Sequence, residues 1–278
     1  GLSMWKACAF SNAARNGVFA ALLAQQGMTG PSPIFEGEKG FMKLVSGPFE
    51  LPAFGGERGQ SSAPDGSLSL PFKILDTYVK HYPVEYHAQT AVEAALALRD
   101  GLLKAEGGEV FAGITDIEIG SYDVAIEIIG RDPEKWRPQT RETADHSFPY
   151  CVAVALLDGK VTLHSFEAKR LADPVVHELM QKVRVAPLAE FSGLYPETMP
   201  TRITVRTKAG HSYVEQVDHP LGHPRHPMSD REIEAKFRRL AMGKLGRARV
   251  SQVTDLVWKL EQLKDLNRLM PLLRARHG

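Results

Sequence analysis

Lys80, Glu85 and His87 fall together in the run Lys80-His81-Tyr82-Pro83-Val84-Glu85-Tyr86-His87. A cation, a carboxylate and an imidazole at one corner of a chain are the set that a proton-abstracting elimination needs. One group removes a proton from carbon, another returns a proton to the leaving group, and the cation steadies the negative charge that builds between. An imidazole titrates near 6.5 when unperturbed, so His87 suits either proton role, and Glu85 two residues earlier could take the other. The competing reading is a solvated loop in which Glu85 merely lies near a helix start. A further histidine, His146 in Asp145-His146-Ser147, stands just before an apolar run. It either orients that loop or acts as the acid for a departing hydroxyl, and the residues alone favour neither role.

These side chains need elements to hold them. Phe72 to Tyr82 suits a strand that ends at Pro83, and His87 to Lys104 reads as a helix with Val92, Ala95 and Leu96 on one face. The first-turn amides of such a helix attract an anion, so a substrate carboxylate is expected there. Ile117 and Ile119 alternate with polar neighbours as a strand does. Phe148 to Leu157 predicts a buried helix, turned by Asp158-Gly159 into a short strand over Val161–His164. Asp173 to Val183 predicts another helix, opened by Pro174. Arg202–Thr207 and Ser212–Val217 flank Lys208-Ala209-Gly210-His211 as an antiparallel hairpin. Ser229-Asp230-Arg231-Glu232 is a capping box ahead of Ile233, Phe237 and Leu240, and a second amphipathic helix carries Val253, Leu256, Val257, Leu260 and Leu263. At the other end, residues 4–26 read as a helix rich in alanine, closed by Gly27 and suited to close packing inside a helical domain. A short helix follows from about Ile34 to near Gly47. Residues 50–70, rich in Gly, Pro and Ser, predict a loop, either a lid or a plain linker. Strands and helices mixed without a regular repeat indicate an α+β fold.

Bulk composition narrows the function classes. Lys and Arg number 34 against 33 Asp and Glu, a balance that argues against nucleic-acid or membrane-surface partners. The 2 cysteines, Cys8 and Cys151, stand far apart, which excludes a disulfide framework and reads as intracellular. They also fall short of the three or four thiolates an iron–sulfur cluster takes, so no cofactor is expected. His219, His223 and His226 fit no usual ligand spacing, and prolines between them predict a loop; no metal site is expected. No apolar run reaches the length of a membrane span, and with no targeting segment visible the cytoplasm is the default location. Gly1-Leu2-Ser3 runs directly into helical sequence, so the chain reads as a piece of a longer one.

Several blocks together resemble the MmgE/PrpD family. They are Leu2-Ser3-Met4-Trp5-Lys6 with Asn12-Ala13-Ala14-Arg15, Ile34-Phe35-Glu36-Gly37, Tyr82-Pro83-Val84-Glu85-Tyr86-His87 through Ala95, Asp145-His146-Ser147-Phe148-Pro149-Tyr150, and Gly222-His223-Pro224 through Phe237. Each is weak alone, but they occur in the family's order over nearly the whole chain. The resemblance implies a small α+β domain (residues 49–225) inserted between pieces of an all-helical domain (1–48 and 226–278), with the active site between the two. Upstream helices that contribute to that site in the family are absent here. It further implies a homodimer and a small tricarboxylic acid substrate, dehydrated from 2-methylcitrate to 2-methyl-cis-aconitate in propionate breakdown. Lys6 and Lys80 match the family's active-site lysines, and Glu85 lies where decarboxylating members carry histidine. Rivals are decarboxylation of cis-aconitate, epimerisation, or a piece acting only in assembly.

Overall fold

The computed structural model describes residues 2–50, 73–108 and 110–275. Its contacts divide the chain into two compact units, Gly1–Thr77 and Tyr78–Gly278. Most of the expected loop over 50–70 lies outside the described residues.

The first unit is carried by helix α1, Trp5–Gln25, which is the expected helix to within a residue at each end. The expectation that it packs closely is not met: no residue of α1 is buried, and Trp5, Phe10, Phe19 and Leu22 are exposed. Among the described residues this unit has no second long helix, and an alanine-rich surface without a facing helix has nothing to pack into. In place of the short helix from Ile34 there is a π-helical turn, Met42–Ser46, ended by Gly47. Beside it Phe35, Phe41 and Phe49 meet edge to face, with centroids 6.3–6.4 Å apart.

The second unit is α+β. Helix α2 (Gln89–Glu106) puts Ala91, Ala94, Ala95, Leu98 and Leu102 on one buried stripe at helical spacing. Strand β1 (Ile114–Ser121) alternates buried Ile117 and Ile119 with the more exposed Asp116 and Glu118. Helix α3 (Phe148–Asp158) is apolar all round, and Phe148 through Leu156 are all buried. The Ser147 hydroxyl caps it, accepting the Tyr150 N–H at 3.1 Å. Helix α4 (Pro174–Met180) follows, and then strands β2 (Val183–Pro187), β3 (Thr201–Thr207) and β4 (Ser212–Val217). The sheet order is β2-β1-β3-β4, with β1 and β2 parallel and the other neighbours antiparallel. α2 lies against β3 and β4 and packs beside α3, which in turn meets β2 and α4. Helices on a mixed sheet bury one continuous core. Helix α5 (Asp230–Leu245) opens on the expected capping box, in which Ser229 and Glu232 exchange hydrogen bonds, and α6 (Arg247–Val257) follows.

Three local expectations need correction. Between Lys73 and Tyr82 there is a 3₁₀ turn, Lys73–Asp76, and then irregular chain rather than a strand. The Val79 N–H finds the Gly222 carbonyl at 2.9 Å, one bond rather than the ladder a strand requires. Val161–His164 is not a strand either. Thr162 and Ser165 form a capping box that starts the 3₁₀ turn Leu163–Phe166. The helix expected up to Val183 stops at Met180, because Val183 opens β2 alongside Ile117.

Candidate active site

The corner carrying Lys80, Glu85 and His87 is tied to the start of α2 by one buried side chain, Gln89. Its Nε2 donates to the carbonyls of Tyr82 (3.0 Å) and Val84 (3.2 Å), while its Oε1 accepts the Tyr82 N–H at 3.1 Å. This satisfies an irregular backbone that no sheet neighbour reaches. On the other side, the Glu85 N–H donates to the Asp145 carbonyl at 2.8 Å, which brings the segment of His146 against the corner. The expectation of an open anion site at the helix start is corrected here. Glu85 places its own carboxylate on the first amide, accepting the His87 N–H at 2.6 Å and capping the 3₁₀ turn Tyr86–Ala88 that leads into α2.

His87 is 5% exposed. Its Nδ1 lies 2.5 Å from the hydroxyl of Tyr122, a residue with no exposed surface at the end of β1. Tyr122 is held in turn by Tyr195, stacked at 4.8 Å and 15°. Burial pushes the His87 imidazole below its ordinary pKa. The Glu85 carboxylate opposes that shift and the Lys80 ammonium adds to it. His87 therefore feels both charged residues that the sequence groups with it. Burial pushes the Tyr122 phenol well above its ordinary value, so it stays a neutral hydroxyl. The result is an uncharged imidazole near neutral pH, with Nδ1 fixed by Tyr122 and Nε2 remaining for another partner.

His146 is 9% exposed, and its Nδ1 is joined to the carboxylate of its neighbour Asp145. Lys80 is exposed, and its backbone carbonyl accepts the ammonium of Lys236 from α5. Lys6 stands on the first turn of α1 in the first unit and is exposed. Lys80, Glu85 and His87 thus come together, with the His146 segment bonded alongside, all within the second unit. Tyr122 and Lys236 were not singled out from sequence. Tyr122 is 35 residues from His87, and no local pattern marks a tyrosine at a strand end as the partner of a distant imidazole.

Residues 82–260 match the MmgE/PrpD C-terminal domain, and residues 1–53 match the MmgE/PrpD N-terminal domain. The chain belongs to the MmgE/PrpD family. Among its relatives, cis-aconitate decarboxylase of Mus musculus is 29% identical over 267 residues, covering 95% of this chain and 51% of that protein. The 2-methylcitrate dehydratase of Salmonella typhimurium is 31% identical over 229 residues, covering 79% of this chain and 44% of that protein. A mitochondrial 2-methylcitrate dehydratase of Yarrowia lipolytica is 28% identical over 89% of this chain and 46% of its own length. The chain spans about half the length of the relatives it matches. These MmgE/PrpD relatives include both a decarboxylase and dehydratases at similar identity. Among the described residues no group of three or more His, Cys, Asp or Glu could hold a metal ion, and no helix is long and apolar enough to cross a membrane.

Proposed function

We propose that the protein is a lyase acting on a small tricarboxylic acid, and that its reaction is dehydration of 2-methylcitrate to 2-methyl-cis-aconitate. The observation that carries this reading is the neutral, buried His87, pinned by Tyr122 and set beside Glu85 and Lys80. His87 Nε2 takes the proton from the carbon next to a carboxylate. The C–H electron pair forms the new double bond, and the C–O bond to the hydroxyl breaks. The hydroxyl leaves as water after receiving a proton from a neighbouring acid, for which His146 is the proposed donor. Lys80 neutralises a substrate carboxylate and the charge that grows beside it. Glu85 supports dehydration over decarboxylation, because the family resemblance puts histidine there in decarboxylating members.

A second reading keeps the same acid class and changes the bond that breaks. The mouse decarboxylase aligns with more of this chain than the dehydratases do, which favours loss of carbon dioxide from cis-aconitate. The two are separated by assaying protein expressed from the complete reading frame, with a chelator present. With 2-methylcitrate, the ultraviolet absorbance of a new conjugated double bond is expected, together with a product lighter by one water. A product from cis-aconitate lighter by carbon dioxide, with no change in 2-methylcitrate, would replace the dehydratase reading. Inertness toward both acids would remove the lyase proposal.

A further inference from the structure

Beside the His87 corner is a cavity of about 330 Å³, within the range of small-molecule sites. Three basic side chains line it, Lys80, Lys236 and Arg239, along with His81 and Thr162. Among the described residues no carboxylate does. Lys236, Arg239 and Leu240 stand at positions i, i+3 and i+4 of α5, so one face of that helix forms a wall. Among the described residues neither Lys80, Lys236 nor Arg239 has a side-chain ion pair.

The acids nearby stand outside the lining and hold other partners. Glu232 accepts the N–H and hydroxyl of Ser229 at 2.8 and 2.7 Å, and Glu93 accepts the Leu221 N–H at 2.8 Å. Glu167 pairs with His164 at 2.6 Å. The cations are also close enough to disfavour one another. Burial, then Arg239, then Lys80 push the Lys236 ammonium below its ordinary pKa, and burial and Arg239 do the same to His81 against the opposing pull of Glu232 and Glu93. Three cations facing one partly enclosed space repel one another, and a bound anion relieves that repulsion. The planar fork of Arg239 fits a carboxylate through two parallel N–H donors, and Lys236 supplies a point charge one helical turn away.

We propose that this cavity holds the distal carboxylates of a small polycarboxylic acid, with Arg239 and Lys236 as its binding residues and Lys80 shared with the His87 corner. The choice of ligand rests on the lyase reading above, and the following test separates the two. Affinity for tricarballylate, a tricarboxylate with no hydroxyl to lose, is measured by calorimetry on protein from the complete reading frame, alongside turnover of 2-methylcitrate. Arg239→Gln is exposed and leaves the core untouched; Lys236→Gln is the second variant, checked for fold by circular dichroism. Arg238→Gln is the control, since Arg238 pairs with Glu234 and does not line the cavity. The expected result is a loss of tricarballylate affinity of about tenfold or more in each test variant and none in the control. In turnover, KM rises by a similar factor and kcat changes far less. An enzyme that turns over normally while Arg239→Gln alters neither affinity nor KM would overturn the cavity and leave the lyase reading standing. A protein inert toward both acids that still loses tricarballylate affinity on Arg239→Gln would keep the cavity and end the lyase reading. Inorganic phosphate binding as tightly as tricarballylate would overturn the polycarboxylate assignment.

Discussion

The His87 ring sits between two opposite charges, and that fixes the sign of a titration. Lys80 disfavours the imidazolium and Glu85 favours it, on top of a burial that already lowers the pKa. Neutralising Lys80 by Lys80→Gln is therefore expected to move the His87 pKa up toward 6.5, and Glu85→Gln to move it further down. An NMR titration of the His87 ring measures both shifts without needing turnover. Equal or reversed shifts would mean that the charges do not share the corner in solution. In the active protein, His87→Gln should lower kcat by about 10²-fold or more with the fold unchanged, the usual scale for losing a general base. Tyr122→Phe should cost less, because it removes only the group that orients the ring.

At the scale of elements, the corner depends on how closely the chain before Tyr82 approaches the loop after β4. Gly222 has φ +96°, and a Cβ there would stand 1.9 Å from the Val79 carbonyl oxygen. Backbone cannot give way as a side chain can, so Gly222→Ala must push the Lys80 segment off its seat. Gly210, in the β3–β4 turn, has φ +84° with nothing within 4 Å of such a Cβ. Gly210→Ala is thus expected to cost only the left-handed strain, about 1–2 kcal/mol. Gly222→Ala should cost clearly more and also weaken tricarballylate binding. Urea denaturation of the two variants compares the costs. Similar losses would show that the 78–80 segment is free to move away.

Over the whole molecule, several histidines share one electrostatic condition. His81, His87 and His219 are pushed below their ordinary pKa chiefly by burial, and His223, 4% exposed, is pushed down to about 4. Each takes up a proton on unfolding at a pH where it binds none when folded. The unfolded chain then holds more protons, so stability rises with pH through that window. Their effect is absent above the unfolded pKa of about 6.5, and stability is lost as pH falls below it. The loss approaches ~1.4 kcal/mol per pH unit for each histidine still unprotonated in the fold, and for His223 it continues to about pH 4. Urea midpoints measured from pH 7.5 to 4.5 should fall on acidification, and His223→Gln should flatten the lower part of that slope. A flat profile would show that these imidazoles open to water.

Much of this was legible in the sequence because it is decided locally. The periodicity of α2 and α3, the Ser229–Glu232 cap and the β3–β4 hairpin each depend on residues within a few positions of one another, and they stand as expected. So does the α+β character, since alternating strand and helix patterns are properties of short windows. The adjacency of Lys80, Glu85 and His87 was likewise plain from spacing. What only the tertiary structure decided is which distant groups complete them. Tyr122 reaches His87 because β1 ends beside the start of α2, and Lys236 reaches Lys80 across 156 residues. Thr162 and Ser165 cap a turn where a short strand is expected after Asp158-Gly159, and the anion place at the start of α2 is filled by Glu85 itself. Burial, and with it the direction of each pKa, is a sum over neighbours from the whole chain. No window of sequence contains that sum.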